Sequence, residues 1–112
     1  LPRRLGLSRA KYLLFTGDLL PAENFVAAGL VNAVVPDAEL RGAALELAAK
    51  IATKSPRGLR RMKELVNESM GLTLEQALRL ELAVNASYVH SYDRAEGLAA
   101  FNEKRRPKFR GE

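Results

Sequence analysis

The chain has 112 residues, no cysteine, one histidine and a formal net charge of +5. This length fits one compact domain or one piece of a larger one, and it is long enough to bury a core. The lack of cysteine excludes a disulfide scaffold, thiolate chemistry and a cysteine-ligated metal, and His90 alone supplies too few ligands for a histidine-based metal centre.

The first third of the chain predicts two short helices and one extended segment. Ser8 is a plausible N-cap for a helix over residues 8–15, and Pro21 suits the first turn of a helix ending near residue 28. The β-branched run at residues 30–36 predicts an extended segment too short to build a sheet. Left-handed C-cap conformations are expected at three glycines along the chain: Gly17, Gly29 and Gly71.

Two longer helices are predicted in the middle of the chain. Asp37 is expected to cap a helix reaching about residue 53, and Ser55 followed by Pro56 predicts the start of another reaching about residue 70. Apolar residues recur at helical spacing in both, so one face of each is expected to point inward. These faces comprise Leu40, Ala43, Ala44, Leu47, Ala48 and Ile51 in the first helix and Leu59, Met62, Val66 and Met70 in the second.

Two further helices complete the prediction. Thr73 and Gln76 match a capping box and predict a helix to about Val89. The residues expected to point inward are Leu74, Leu78, Leu82 and Val89. Either Ser91 or Asp93 is expected to cap a last helix reaching about residue 104. The predicted fold class is therefore mainly α, with about five to six helices and one short extended segment.

Positive charge is concentrated at the two ends of the chain. Residues 1–11 and residues 104–112 each carry a net charge of +4, which leaves the body mildly acidic. Basic clusters attract phosphate-bearing partners such as nucleic acid, acidic lipid or a phosphorylated cofactor, although they also serve simply as solvated tails. The sequence contains no run of apolar residues long enough for a membrane span, so we expect no membrane partner and a cytoplasmic location.

No catalytic group stands out from its residue pattern. Glu64, Glu68 and Glu75 are interpreted as surface ion-pair partners, and His90 has no matching nucleophile and acid. The C-terminal segment is more suggestive, because Phe101 and Lys104 lie three residues apart near one helix face. With Arg105 and Arg106 they could hold a purine and a phosphate; the alternative is that Phe101 is a core residue and Lys104 is solvated.

Three parts of the sequence resemble the enoyl-CoA hydratase/isomerase (crotonase) family. The run KYLLFTGDLLPAENFVAAGLVNAVVP is similar to the family's "LLLTG…SAEEA…GLVNEVVP" pattern. Ala52 with Ser55-Pro56 resembles its "IA..SP" helix junction, and DRAEGLAAFNEKRRPKF resembles its "D..EG..AF.EKR.P.F" terminus. The resemblance covers essentially the whole chain and matches the C-terminal segment of that family.

The resemblance implies a role in a larger enzyme. Residues 1–112 would form the C-terminal helical and oligomerisation region, without the N-terminal spiral of ββα units that carries the family's oxyanion hole and catalytic acids. No catalytic residue is therefore assigned, and the chain is expected to be inactive alone. Phe101 and Lys104 match the family's C-terminal aromatic residue and lysine, which help to hold the adenine-nucleotide end of CoA.

The implied parent reaction is hydration or isomerisation of an enoyl-CoA thioester through a stabilised enolate. Acyl-CoA would be the substrate, no separate cofactor is expected, and the family's trimers or dimers of trimers predict a homo-oligomer. Two alternatives stay open: a small basic helical module that binds nucleic acid, and a purely structural assembly module. The first is disfavoured because the basic residues lie at the chain ends and form no recognition helix, so no nucleic-acid partner is expected.

Overall fold

A computed structural model describes all 112 residues and contains six α-helices and no β-strand. The helices are α1 (Pro2–Leu5), α2 (Leu7–Thr16), α3 (Leu40–Ala52), α4 (Pro56–Ser69), α5 (Leu74–Tyr88) and α6 (Tyr92–Asn102). The predicted mainly α class is confirmed. Residues 30–36 lie outside regular structure, because a lone extended segment has no partner strand for its backbone groups.

The chain divides into two compact units, Leu1–Ala44 and Leu45–Glu112, with the boundary inside α3. In the first unit α1 packs against α2. The side chain of Ala10 on α2 is 1% exposed. Arg9 donates to the Asn24 carbonyl at 2.8 Å, and its guanidinium lies 5.8 Å from the centre of the Phe25 ring. Arg9, one of the four cationic residues among residues 1–11, therefore holds the loop that contains Asn24 and Phe25 against α2.

The second unit is built around α4, which packs mainly against α5 and also against α6. Gly58 lets α4 and α5 approach closely, since a Cβ there would lie 3.2 Å from the Tyr88 hydroxyl oxygen. Such a distance is tighter than ordinary van der Waals contact between heavy atoms. A side chain at position 58 would require the Tyr88 hydroxyl or the Ser55 side chain to move by a few tenths of an ångström.

Several predicted helix ends are confirmed by the structure. The Ser55 side chain accepts a hydrogen bond from Gly58 N, and Pro56 is the first residue of α4. Thr73 and Gln76 form the reciprocal capping box at the start of α5. Of the three glycines predicted as left-handed C-caps, Gly17 is the left-handed C-cap of α2. Gly29 and Gly71 also have positive φ angles, but Gly29 follows a 3-10 turn and Gly71 follows Met70, the extended C-cap of α4.

Other predicted boundaries in the first unit are wrong. Helix α2 begins at Leu7 with Gly6 as its N-cap, so Ser8 lies inside the first turn and caps nothing. The helix expected after Pro21 is a single 3-10 turn, Ala22–Phe25. Asp37 likewise begins a 3-10 turn, Asp37–Glu39, which leads into α3 at Leu40. At both sites a proline in the extended region precedes the tight turn, and its fixed φ suits a turn as well as a helix.

The inward faces predicted for α3, α4 and α5 are exposed within this chain. None of the three helices has a fully buried residue, although each has an apolar stripe. The exposed stripe residues include Leu40, Leu47, Ile51, Met62, Val66, Met70, Leu74, Leu78, Leu82 and Val89. Six helices of this length do not supply enough partner surface to cover every stripe. No helix is both long enough and apolar enough to cross a membrane.

The capping box at the start of α5 carries a measurable share of stability. We expect Thr73→Ala to lower the free energy of unfolding by about 1 kcal/mol, because the backbone N–H of Gln76 loses the Thr73 hydroxyl as its acceptor. Chemical denaturation followed by circular dichroism measures the change. Thr53→Ala is the control: Thr53 bonds only to the Lys50 carbonyl at the exposed end of α3, and we expect its effect to stay within about 0.5 kcal/mol. Equal losses of unfolding free energy in Thr73→Ala and Thr53→Ala would contradict the stabilising role of the capping box.

Candidate functional site

The C-terminal part of the chain is organised by Asp93, whose side chain is 1% exposed. Ser91 caps α6 by accepting from Arg94 N at 3.2 Å, which decides between the two caps predicted for this helix. Asp93 instead accepts a 2.6 Å hydrogen bond from the Ser55 hydroxyl. Since that hydroxyl oxygen also accepts from Gly58 N, one serine caps α4 and ties it to α6.

Asp93 also holds the end of the chain. Its Oδ1 accepts from the backbone N–H groups of Arg110 at 2.8 Å and Gly111 at 3.0 Å, and its own N–H donates to the Glu112 carbonyl. Burial alone raises the pKa of Asp93, but the hydrogen bonds from Ser55 and from the backbone outweigh it and hold the pKa below its usual value. The carboxylate is therefore charged and satisfied at neutral pH.

Residues 105–112, which we call the C-terminal strap, fold back along α6. The Phe109 ring lies against Gly97, where a Cβ would meet it at 3.6 Å. The Arg110 guanidinium lies over the Tyr92 ring, 4.3 Å from its centre. Gly111, with φ 81°, lies beside Pro56 near the end of the strap. The strap thus runs from the C-terminal end of α6 to its N-terminal end.

Glu96 fixes the start of the strap. Arg105 binds it with both terminal nitrogens, at 2.6 Å and 2.9 Å, and Lys108 N donates to it at 2.7 Å. The paired hydrogen bonds from Arg105 lower the pKa of Glu96 to about 2. The expectation that Arg105 contributes to a phosphate site is not met by this geometry, because Glu96 and Glu103 already occupy its donors.

The Glu96 contact predicts a pH dependence of stability. A carboxylate whose pKa is lower in the folded state stabilises the fold above its unfolded pKa of 4.5, and this contribution is lost as pH falls toward about 2. We expect the free energy of unfolding to fall over this window, and Glu96→Gln to reduce the slope. Urea titrations at several pH values measure both slopes. Asp93 contributes in the same direction, so the variant should keep part of the dependence; an unchanged slope would contradict the role of Glu96.

The two residues predicted to bind CoA lie just before the strap. Phe101 is 81% exposed, so it is not a core residue of this chain. Lys104 is the only residue other than glycine with a positive φ, at 54°, and its N–H donates to the Phe101 carbonyl at 3.2 Å. The left-handed backbone conformation of Lys104 costs about 1–2 kcal/mol. This cost is offset by the flanking structure, because α6 precedes Lys104 and Arg105, which follows it, is bound by Glu96. The structure therefore holds the two residues close together on an exposed corner.

The other sequence candidates lie elsewhere and are not joined to this corner. Glu64 pairs with Arg61 and Glu75 pairs with Arg79, as predicted for surface ion pairs, whereas Glu68 forms no ion pair. His90 is exposed in the turn before α6. No group of carboxylates and histidines in the chain is placed to hold a metal ion.

Sequence reasoning missed the Asp93–Ser55 link, which positions the whole corner. An aspartate near a helix start usually acts as a cap, so the local pattern at Asp93 predicts a capping role and no contact with a distant residue. A signal was present in the pattern: a second capping residue, Ser91, stands two positions earlier and leaves Asp93 free for a longer-range partner.

The arrangement of these helices matches that of known proteins. The family model described as enoyl-CoA hydratase/isomerase matches residues 1–112. The chain belongs to the enoyl-CoA hydratase/isomerase family. It is 38% identical to mouse methylglutaconyl-CoA hydratase, mitochondrial, covering 100% of this chain and 37% of that protein.

Solved structures of this family agree with the fold. The crystal structure of enoyl-CoA hydratase from Bacillus anthracis superimposes with a TM-score of 0.94 at 40% identity, covering 99% of this chain and 43% of the other. The crystal structure of enoyl-CoA hydratase from Mycobacterium tuberculosis H37Rv has a TM-score of 0.93 at 34% identity, covering 100% of this chain and 44% of the other. The chain thus spans about two fifths of the length of these relatives.

Proposed function

We propose that this chain is the C-terminal helical region of an enoyl-CoA hydratase/isomerase and that it contributes part of the CoA site. The observation that carries the proposal is the exposed pair Phe101 and Lys104, held on one corner by an anchored strap. An aromatic face stacks on a purine, and an ammonium group pairs with a phosphate. The matching terminal motif of the family supports the same assignment.

The parent reaction in this proposal is hydration or isomerisation of an enoyl-CoA thioester. The acyl-CoA is the substrate, and no separate cofactor takes part. The residues that would stabilise the enolate and move its protons belong to the family's spiral domain, so the present residues 1–112 contribute binding and assembly without a catalytic group. A cytoplasmic location remains a prediction, and the name of the mouse relative places that protein in mitochondria.

Titration of the chain with CoA tests the binding role. We expect CoA to bind, and duplex DNA to show no specific binding at either of two salt concentrations. DNA binding with a steep salt dependence and no response to CoA would favour a basic nucleic-acid module and overturn the proposal.

Lys104 supplies the charged half of the proposed contact. We expect Lys104→Ala to weaken CoA binding by about tenfold, because it removes an ammonium–phosphate pair. Alanine is not glycine and keeps the left-handed strain, so the loss reports on the side chain and not on the backbone. Isothermal titration calorimetry measures the affinity. Arg79→Ala, which removes an exposed cation on α5, is the matched control; equal affinities of the parent and Lys104→Ala would remove the role of Lys104.

The assembly role follows from the uncovered apolar stripes. On α4 and α5 the apolar residues Met62, Val66, Leu78 and Leu82 are more than half exposed within this chain. Contiguous exposed apolar surface favours association with other copies or other domains. We propose that this surface forms subunit contacts in a homo-oligomer. Size-exclusion chromatography with light scattering tests this: we expect association, and a folded monomer at high concentration would contradict it.

A further inference from the structure

We propose that this chain carries a second, separate binding site for a small phosphate-bearing anion, in the cleft between the α3–α4 junction and the C-terminal strap. The cleft has a volume of about 730 Å³. Its lining residues are Ala52, Thr53, Lys54, Pro56, Arg106, Pro107, Lys108 and Phe109. The inference does not rest on the proposed CoA contact, because neither Phe101 nor Lys104 lines this cleft.

The lining of the cleft is positively charged. Three of its eight residues are cationic and none is acidic. Lys54, Arg106 and Lys108 form no ion pair with any carboxylate of the chain. Unpaired like charges that share one cleft repel each other, and an anion placed among them removes that repulsion.

The strap that carries two of these cations has a fixed geometry. Arg105 binds Glu96 on one side of Arg106, and the backbone N–H of Lys108 binds the same carboxylate. The backbone that carries Arg106 and Lys108 is therefore held at two points, and their side chains project from an ordered segment and not from a free tail. Such preorganisation lowers the entropic cost of binding a ligand.

The neighbouring helix ends do not cancel this charge. The C-terminal end of α3 lies at the cleft and carries roughly half a negative charge from its free carbonyl groups, while the N-terminal end of α4 carries a similar positive charge. These two contributions oppose each other. The three full positive charges therefore decide the sign of the potential in the cleft.

The chemistry of the donors defines the ligand class. A guanidinium group binds two oxygens of one phosphate, and ammonium groups bind phosphate as point charges. Three cationic groups lining one cleft suit a multiply charged pyrophosphate group or phosphomonoester better than a singly charged carboxylate. The group could belong to a nucleotide or to a free inorganic anion, and the experiment separates these sources.

Calorimetric titration of the full 112-residue chain with inorganic pyrophosphate tests the proposal. The cleft variant combines Lys54→Gln, Arg106→Gln and Lys108→Gln. The matched control combines Arg3→Gln, Arg4→Gln and Lys11→Gln, which removes the same charge from exposed positions of the N-terminal unit. Circular dichroism confirms that each variant keeps the helical content of the parent.

We expect saturable binding to the parent chain, a loss of about tenfold or more in the cleft variant, and a change within about twofold in the control. Equal losses in the two variants, or no saturable binding to the parent, would overturn the proposal. Repeating the titration with ADP shows whether the bound phosphate group belongs to a nucleotide or to an inorganic anion. A higher affinity for ADP than for pyrophosphate supports a nucleotide ligand of the cleft, and an affinity equal to or below that for pyrophosphate supports an inorganic one. The two proposals fail separately: if Lys104→Ala left the CoA affinity unchanged, the corner would lose its role, while the pyrophosphate result would still report on the cleft, because Lys104 does not line it.

Discussion

Replacing Asp93 by alanine is expected to lower the free energy of unfolding by about 3 kcal/mol. The change removes the acceptor of the Ser55 hydroxyl and of the Arg110 and Gly111 amides, in a position that is almost fully buried. Each buried donor left without an acceptor costs about 1–3 kcal/mol, and part of this is recovered when the freed strap meets water. Chemical denaturation of the parent and the variant measures the difference.

The matched control is Asp18→Ala, because Asp18 is exposed and accepts a hydrogen bond from the Tyr12 hydroxyl. We expect its effect to stay within about 0.5 kcal/mol. Amide hydrogen exchange adds a local measurement, since the strap amides of Arg110 and Gly111 should exchange faster only in the Asp93 variant. Similar losses of stability in both variants, with unchanged exchange in the strap, would contradict the anchoring role of Asp93.

Replacing Phe101 by alanine is expected to weaken CoA binding by about tenfold or more and to leave the stability of the chain nearly unchanged. Stacking of a base on an aromatic ring contributes about 1–3 kcal/mol to binding. The ring is 81% exposed, so its removal opens no cavity within the chain. Calorimetric titration with CoA and thermal unfolding measure the two effects separately.

Phe15 provides a close control for this variant. It is also a phenylalanine near the end of a helix, and its side chain is likewise 81% exposed. Phe15→Ala removes the same atoms from the other compact unit, and we expect it to leave the CoA affinity within about twofold of the parent. If Phe15→Ala lowered the affinity as much as Phe101→Ala, the binding would reflect nonspecific contact with exposed aromatic rings.

Local capping chemistry made much of the secondary structure predictable from the sequence. Ser55 with Pro56, and Thr73 with Gln76, act within one helical turn, so their geometry depends on neighbouring residues alone. The turns after Pro21 and Pro36 were predicted less well. Proline fixes one dihedral angle, and whether an α-helix or a 3-10 turn follows depends on contacts beyond the turn.

Longer-range links were not predictable in the same way. Ser55 and Asp93 are 38 positions apart, and Glu96 meets Arg105 only because the chain reverses after α6. The basic run from Lys104 to Lys108 shows the consequence most clearly. Its four cations have three different environments: Lys104 lies on an exposed corner, Arg105 is bound by Glu96, and Arg106 and Lys108 line a cleft. Net charge alone could not separate them.

The apolar stripes show a further limit of sequence patterns. Helical spacing correctly identified a stripe on α3, α4 and α5, but it could not tell whether the covering surface belongs to the same chain. In this chain most stripe residues are exposed. An apolar stripe of this kind predicts that the helix face is buried in the functional protein. Whether a residue of the same chain or of another chain buries it requires other observations.

The corner formed by Phe101 and Lys104 is proposed to bind the nucleotide end of CoA, and NMR titration of the ¹⁵N-labelled chain with CoA is the decisive test of this claim. We predict that the amide signals of residues 101–104 shift in a saturable way and that those of the unit Leu1–Ala44 do not. Absence of any shift at residues 101–104, or shifts confined to the first unit, would contradict the claim.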